Sequence, residues 1–141
     1  MDAVQVGKYF YCRNNDFSEI QIQKLTYYAY AWNLALNNEK LFEERPQAWI
    51  HGPVFRSLYD AMRCREFYDT NILDIDDDIR DNKILGMIYK LYGKYSGNEL
   101  EQMTHSESPW KNARMGLSAN VRSTKELDDE DIKNYYKALL N

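Results

Sequence analysis

Residues 104–110 read T-H-S-E-S-P-W and place a histidine close to a carboxylate. His105 is one of only two histidines, and Glu107 follows it two positions later. A histidine and a carboxylate can act together as an acid–base pair or as ligands of a metal ion. One candidate function is therefore a small metal-dependent hydrolase in which His105 and Glu107 are the reactive groups.

The remaining sequence gives such an active site little support. A catalytic zinc ion usually takes three protein ligands, and neither histidine belongs to a helical histidine-pair motif. The histidine-x-glutamate of zinc deaminases is accompanied by P-C-x-x-C, which this chain lacks. Cys12 and Cys64 have no C-x-x-C spacing, and no motif assigns either of them a base. Phosphate-loop, nucleophile-elbow and dinucleotide motifs are absent as well, so we predict no catalytic residue, no metal and no cofactor.

An acidic run at residues 74–85, D-I-D-D-D-I-R-D-N-K-I-L, begins like a calcium-binding loop. That loop requires glycine at its sixth position and glutamate at its twelfth. Here those positions hold Ile79 and Leu85. The aspartates instead precede a predicted helix, whose N-terminal end attracts negative charge. We interpret the run as a helix start rather than a cation site.

A basic segment follows at residues 110–125, W-K-N-A-R-M-G-L-S-A-N-V-R-S-T-K. It carries Lys111, Arg114, Arg122 and Lys125 and no acidic residue, although the whole chain has a net charge of −4 and a pI near 5.2. Such a local reversal predicts a surface for an acidic partner or a phosphate, and a merely solvated loop is the alternative. We do not expect nucleic-acid binding, because it needs a broadly basic face.

The motif at residues 104–110 also has an architectural interpretation. A histidine near a helix C-terminus can donate to the last carbonyls and interacts favourably with the helix dipole. Ser108 can then cap the next turn, Pro109 suits its first position, and Trp110 adds a large apolar surface with one N–H group. Under this interpretation His105 and Trp110 stabilise a tight connection between two helices.

The elements that must position these residues are mainly helical. Ser18 and Gln21 form a capping box for a helix at 18–37 that is apolar on nearly all sides, which is typical of a central buried helix. We therefore predict a compact, mainly α domain over residues 1–141, built around this helix, with a small two- or three-strand element. The other predicted helices lie at 3–13, 53–64, 78–95, 96–103, from Pro109 and from Asp128; the strands lie at 41–42 and 48–50; residues 115–126 form a loop.

The N-terminal residues M-D-A-V-Q-V-G-K lack the basic and apolar regions of a secretory signal. No run approaches the length of a membrane span, and the two cysteines show no disulfide pattern. We expect a cytoplasmic protein that does not enter a membrane.

Three stretches, in this order and spacing, resemble the Panacea domain, a phage-associated antitoxin family. They are I-Q-K-L-T-Y-Y-A-Y-A-W-N-L-A-L at 22–36, A-W-I-H-G-P-V at 48–54, and Y-G-K-Y-S-G-N-E-L-E-Q-M-T-H-S-E-S-P-W at 92–110. The resemblance extends from about residue 5 to residue 139. The matching positions are Gln23, Lys24, Leu25, Tyr28 and Trp32 in the central helix, Trp49, Gly52, Pro53 and Val54 at the first corner, and Thr104, His105, Pro109 and Trp110 at the second.

The resemblance implies a mostly helical bacterial or phage protein that neutralises a toxin encoded nearby through direct protein contact. It also implies an alternative, in which the domain is an adaptor acting on a host regulator or a protease, and it assigns no catalytic residue. For the partner-binding surface we predict first the region around His105, Trp110, Lys111 and Arg114. The second choice is Tyr135 and Tyr136 on the last helix.

Overall fold

The computed structural model describes all 141 residues and confirms a mainly helical fold with a small sheet. Its central feature is helix α2, which is packed by helices from both ends of the chain. The elements are α1 (Ala3–Arg13), α2 (Glu19–Asn37), β1 (Gln47–Trp49), β2 (Gly52–Val54), α3 (Arg56–Ala61), α4 (Asp77–Arg80), α5 (Lys83–Tyr92), α6 (Gly97–Ser106), α7 (Ser108–Ala113) and α8 (Asp129–Ala138). Two short 3-10 helices, Arg65–Asp69 and Ile72–Asp74, connect α3 to α4.

Helix α2 begins and ends where local chemistry dictates. The Ser18 hydroxyl accepts from the Gln21 amide at 3.2 Å, and the Gln21 side chain accepts from the Ser18 amide at 2.8 Å. The helix ends at Asn38, which adopts a left-handed conformation with φ of 56°. Most of its side chains are buried, because α1, α5, α6, α8 and β2 all pack on it. None of the helices is both long and apolar enough to cross a lipid bilayer.

The strands differ from the prediction. β1 pairs antiparallel with β2 in a short hairpin, with Trp49 opposite Gly52 and Ala48 opposite Pro53. Residues 41–42 form no strand, and Pro53 lies in β2 instead of starting a helix, so α3 begins later, at Arg56. The local pattern was misleading because β2 is held by side chains from α2, which are distant in sequence.

Two helix boundaries also need correction. The helix predicted at 78–95 is two helices, since the Asn82 side chain caps a new start by accepting from the Leu85 amide at 3.1 Å. Asp77 and Asp78 lie in the first turn of α4, as the helix-start interpretation expected. The helix predicted at 96–103 continues to Ser106 as α6, and Glu107 occupies the position between α6 and α7 that was assigned to Ser108.

Candidate functional site

Strand β2 is held by the side chains of two successive residues of α2. The Gln23 amide group donates to the Phe55 carbonyl at 3.1 Å, and its oxygen accepts from the Phe55 amide at 2.9 Å. The Lys24 ammonium donates to the Pro53 carbonyl at 3.1 Å. Both α2 side chains are buried. The central helix thus supplies hydrogen bonds that a neighbouring strand would otherwise make.

Gly52 lets the hairpin approach α2 and α6 closely. Its φ is +110°, and a Cβ atom at this position would lie 2.6 Å from Lys24 Cε and 2.7 Å from Thr104 Oγ1. Burial lowers the pKa of Lys24 to about 7, an effect that the charge of Glu101 partly opposes. Lys24 and Thr104 therefore form a tightly packed support under the turn of the hairpin.

We expect Gly52→Ala to lower the free energy of unfolding by about 2 kcal/mol, because both the positive φ and the contacts with Lys24 and Thr104 oppose a methyl group. Gly116→Ala is a matched control, since Gly116 also has a positive φ, of +86°, but has no atom within 4 Å of a new Cβ. Urea denaturation of both variants measures the difference. Equal losses would contradict the close-packing argument.

The other edge of the hairpin is braced by a stack of three side chains, His105, Trp110 and Arg114. The His105 and Trp110 rings stack with centroids 4.1 Å apart, and the Arg114 guanidinium lies 5.1 Å from the Trp110 ring. The Trp110 indole donates to the Trp49 carbonyl at 2.8 Å, and Arg114 donates to the Ala48 carbonyl at 2.9 Å. The stack therefore holds β1 through its backbone.

Arg114 also fixes the loop that follows α7. Its second terminal nitrogen donates to the carbonyls of Ser118 at 3.1 Å and Val121 at 2.5 Å. The residue is only 4% exposed. The prediction of a partner-binding surface included Arg114, but its hydrogen-bond donors are used inside the domain, so its guanidinium does not face a partner.

The carboxylate of Glu101 interacts with both histidines. His51 lies in the turn of the hairpin, with Nδ1 3.2 Å from Glu101 Oε2. Burial lowers the pKa of half-buried His105, whereas Glu101 and the Ile50 backbone act in the opposite direction. No group of three His, Cys, Asp or Glu side chains is arranged to hold a metal ion. The absence of catalysis and of a bound metal remains a prediction.

Glu107 does not lie beside His105 on the surface; it enters a buried cluster of tyrosines. Its carboxylate accepts from the Tyr136 hydroxyl at 2.6 Å and from the Tyr28 hydroxyl at 3.1 Å, and the Tyr136 oxygen lies 3.2 Å from that of Tyr27. Burial raises the pKa of Glu107 to about 7, although the hydrogen bonds from Tyr136 and Tyr28 act in the opposite direction. Tyr136 is fully buried, so we also leave it out of the binding surface.

The other family-motif residues support these two regions. Leu25 and Pro109 are buried, and Val54 is buried at the end of β2. Tyr28 stacks on Tyr92 with centroids 4.1 Å apart, and the Trp32 indole donates to the Tyr92 hydroxyl at 2.9 Å. Among the remaining partner-surface candidates, Lys111 is exposed, whereas Trp110 and Tyr135 are partly buried.

The solvent side of the hairpin forms a cleft of about 460 Å³. Its aromatic wall is made by Trp49 and Tyr59, whose ring centroids are 4.9 Å apart. The Arg56 guanidinium lies 5.9 Å from the centroid of each ring, and that of Arg63 lies 4.1 Å from Tyr59. The lining residues are Trp49, Ile50, His51, Val54, Arg56, Tyr59, Arg122, Ser123 and Thr124.

No acidic residue lines this cleft. Arg56 pairs with Asp60 at 3.2 Å on the same helix, whereas exposed Arg122 makes no ion pair. The predicted basic segment therefore contributes to the cleft through Arg122. Arg56 and Tyr59 were not among the predicted binding residues, although their spacing of three residues places both on one face of a helix.

One comparison with known proteins identifies a family for this chain. A family model described as "Antitoxin SocA-like, Panacea domain" matches residues 22–111, which include α2, the hairpin and the His105–Trp110 pair. No curated protein and no solved structure gives a significant match. Because the family model covers well over half of the sequence, the chain belongs to the antitoxin SocA-like Panacea domain family.

Proposed function

We propose that this antitoxin-like protein neutralises a cognate toxin by direct contact, and that the cleft beside the hairpin, lined by Trp49, Arg56, Tyr59 and Arg122, is its docking surface. Family membership supports the general role. The docking surface is proposed from one observation: the Arg56 side chain lies over the Trp49–Tyr59 pair. The hairpin beside it is held on both strands by hydrogen bonds from other parts of the domain. The protein acts by binding rather than by catalysis.

The residue types in the cleft are those that dominate protein interfaces. Tryptophan, tyrosine and arginine are enriched among hot spots, because each combines a large contact area with a polar group. The hairpin is fixed from one side by Gln23 and Lys24 and from the other by Trp110. A surface that is already ordered loses less conformational entropy when its partner binds.

The whole chain, residues 1–141, acts as one unit in this proposal. Helices α1 and α8 lie outside the span of the family model, yet both pack on α2. We place the protein in the bacterial cytoplasm, where it meets a toxin encoded near its own gene. Neither a nucleic acid nor a membrane is part of the proposed action.

Co-expression with the neighbouring candidate toxin tests the function. The unchanged protein is expected to restore growth, and the double variant R56E/R122E to bind the toxin about tenfold or more weakly and to lose rescue, because it reverses the charge at the hot-spot residues. The matched control is K83E/K90E, which makes the same charge change at exposed positions on α5. Rescue by the control and not by R56E/R122E is the expected pattern.

Two other outcomes are informative. If the unchanged protein never restores growth, the toxin-neutralising function is wrong. If R56E/R122E is folded and rescues fully, the toxin docks elsewhere on the domain. Affinity purification of the tagged protein from its native host, followed by mass spectrometry, identifies the partner; a protease subunit or a host regulator in place of a toxin would favour the adaptor alternative.

A further inference from the structure

We infer that the cleft beside the hairpin binds an acidic segment of the partner protein, in which Asp or Glu carboxylates flank an apolar or aromatic side chain. The inference rests on the proposed function for its biological setting, since it specifies the part of the partner that enters the docking surface. The charge, the aromatic wall and the size of the cleft support it.

The charge of the cleft is opposite to that of the protein. The chain has a net charge of −4, yet the cleft is lined by Arg56 and Arg122, with His51 at its edge and no carboxylate. Arg122 is exposed and has no ion-pair partner within the domain. Planar guanidinium groups bind carboxylates through two parallel hydrogen bonds. An acidic segment supplies the missing partners.

The aromatic wall specifies what lies between the carboxylates. The Trp49 indole N–H is already used, since it donates to Gln47 Oε1 at 2.8 Å. Trp49 therefore offers its ring to a partner rather than a hydrogen bond. Tyr59 and Ile50, which are partly exposed, extend this surface. An aliphatic or aromatic side chain is the group that such a surface binds best.

The size of the cleft favours a short segment rather than a folded surface. A volume of about 460 Å³ lies in the range of pockets that hold a drug-sized ligand, which is similar in bulk to a few side chains. Nucleic acid has the right charge but fits less well, because phosphate backbones follow extended basic surfaces. The basic surface here is short, because Arg56 and Arg122 are the two arginine or lysine residues that line the cleft.

A titration with a synthetic peptide tests the inference without the toxin. The probe is a hexapeptide with two glutamates on each side of leucine–phenylalanine, and its control replaces every glutamate with glutamine. The protein carries ¹⁵N-labelled tryptophan, so the indole signals of Trp32, Trp49 and Trp110 report binding separately. We expect the acidic peptide to shift the Trp49 signal to saturation, to leave the Trp32 signal in place, and to bind more weakly at about 0.5 M salt.

Protein variants identify the groups that bind. R56Q/R122Q is expected to weaken binding about tenfold, because it removes two interface arginines. K83Q/K90Q has the same net charge, changes exposed lysines away from the cleft, and is expected to bind as the unchanged protein does. Arg122 has no ion pair and Arg56 has only a surface one, so R56Q/R122Q is expected to remain folded.

Three results would overturn the inference: no shift of the Trp49 signal with the acidic peptide, equal binding of the glutamine peptide, or tighter binding of oligothymidylate than of the peptide. A negative result in the growth-rescue assay has a different meaning from a negative result in the peptide titration. If the peptide binds as expected while rescue fails, the cleft binds acidic segments but the partner is not a toxin. If rescue depends on Arg56 and Arg122 while the peptide does not bind, the docking surface is correct and the acidic segment is wrong.

Discussion

Trp110→Ala is expected to lower the free energy of unfolding by about 3 kcal/mol, which is the low end of the range for truncating a large aromatic residue because Trp110 is only partly buried. The substitution removes the ring between His105 and Arg114 and the indole hydrogen bond to the Trp49 carbonyl. For a chain of this size the melting temperature should fall by about 10 °C. Thermal unfolding followed by circular dichroism measures it.

Other substitutions within residues 105–111 separate the contributions to this loss of stability. Trp110→Phe keeps an aromatic ring against His105 but lacks the N–H group, so a smaller loss of about 1 kcal/mol is expected. Lys111→Ala changes the exposed neighbour and should alter stability by less than about 0.5 kcal/mol. His105→Ala should also lower stability. If His105→Ala and Trp110→Ala both keep the wild-type melting temperature and lose rescue, the architectural interpretation of residues 104–110 is wrong.

Glu107→Gln is expected to remove a pH dependence of stability. Burial raises the pKa of Glu107 from 4.5 to about 7, so the folded state binds the proton more tightly than the unfolded state does. The favourable contribution is fully present below pH 4.5 and is lost as the pH rises through about 7. Relative to Glu107→Gln, the unchanged protein should lose about 3 kcal/mol of unfolding free energy across this interval.

Urea denaturation at a series of pH values from 4 to 8 measures this difference. A glutamine oxygen can still accept from Tyr28 and Tyr136, so the variant keeps the main hydrogen bonds of the cluster. Glu43→Gln is the matched control, because the Glu43 side chain is 97% exposed and its curve should parallel that of the unchanged protein. Parallel curves for Glu107→Gln as well would mean that the buried carboxylate titrates normally.

Local chemistry in the sequence determined where most helices begin. The capping boxes at Ser18 and Ser96, and the cap at Asp128, each involve residues within three positions of one another. The apolar periodicity also identified α2 as the buried centre of the domain. Interactions of such short range are formed by neighbouring residues themselves, so their patterns can be read without knowing the fold.

The hairpin shows where local patterns were insufficient. The sequence pattern predicts a strand that ends at residue 50 and a helix that begins at Pro53, so neither Gly52 nor Pro53 is expected in a strand. They form a strand because Gln23 and Lys24 hydrogen-bond to the backbone near them from α2. A two-stranded hairpin is only marginally stable by itself. Its existence therefore depends on contacts that no short window of sequence contains.

The composition of the candidate site depended on tertiary structure even more than the hairpin did. From their types and spacing alone, Glu107 was a possible reactive group and Arg114 a surface cation. Burial reversed both interpretations, since Glu107 is held by tyrosines from α2 and α8 and Arg114 by β1 and its own loop. The sequence alone determined the family, the central helix and the helix caps. Only the packing of distant segments decided which polar side chains are enclosed and which, like Arg122, remain exposed.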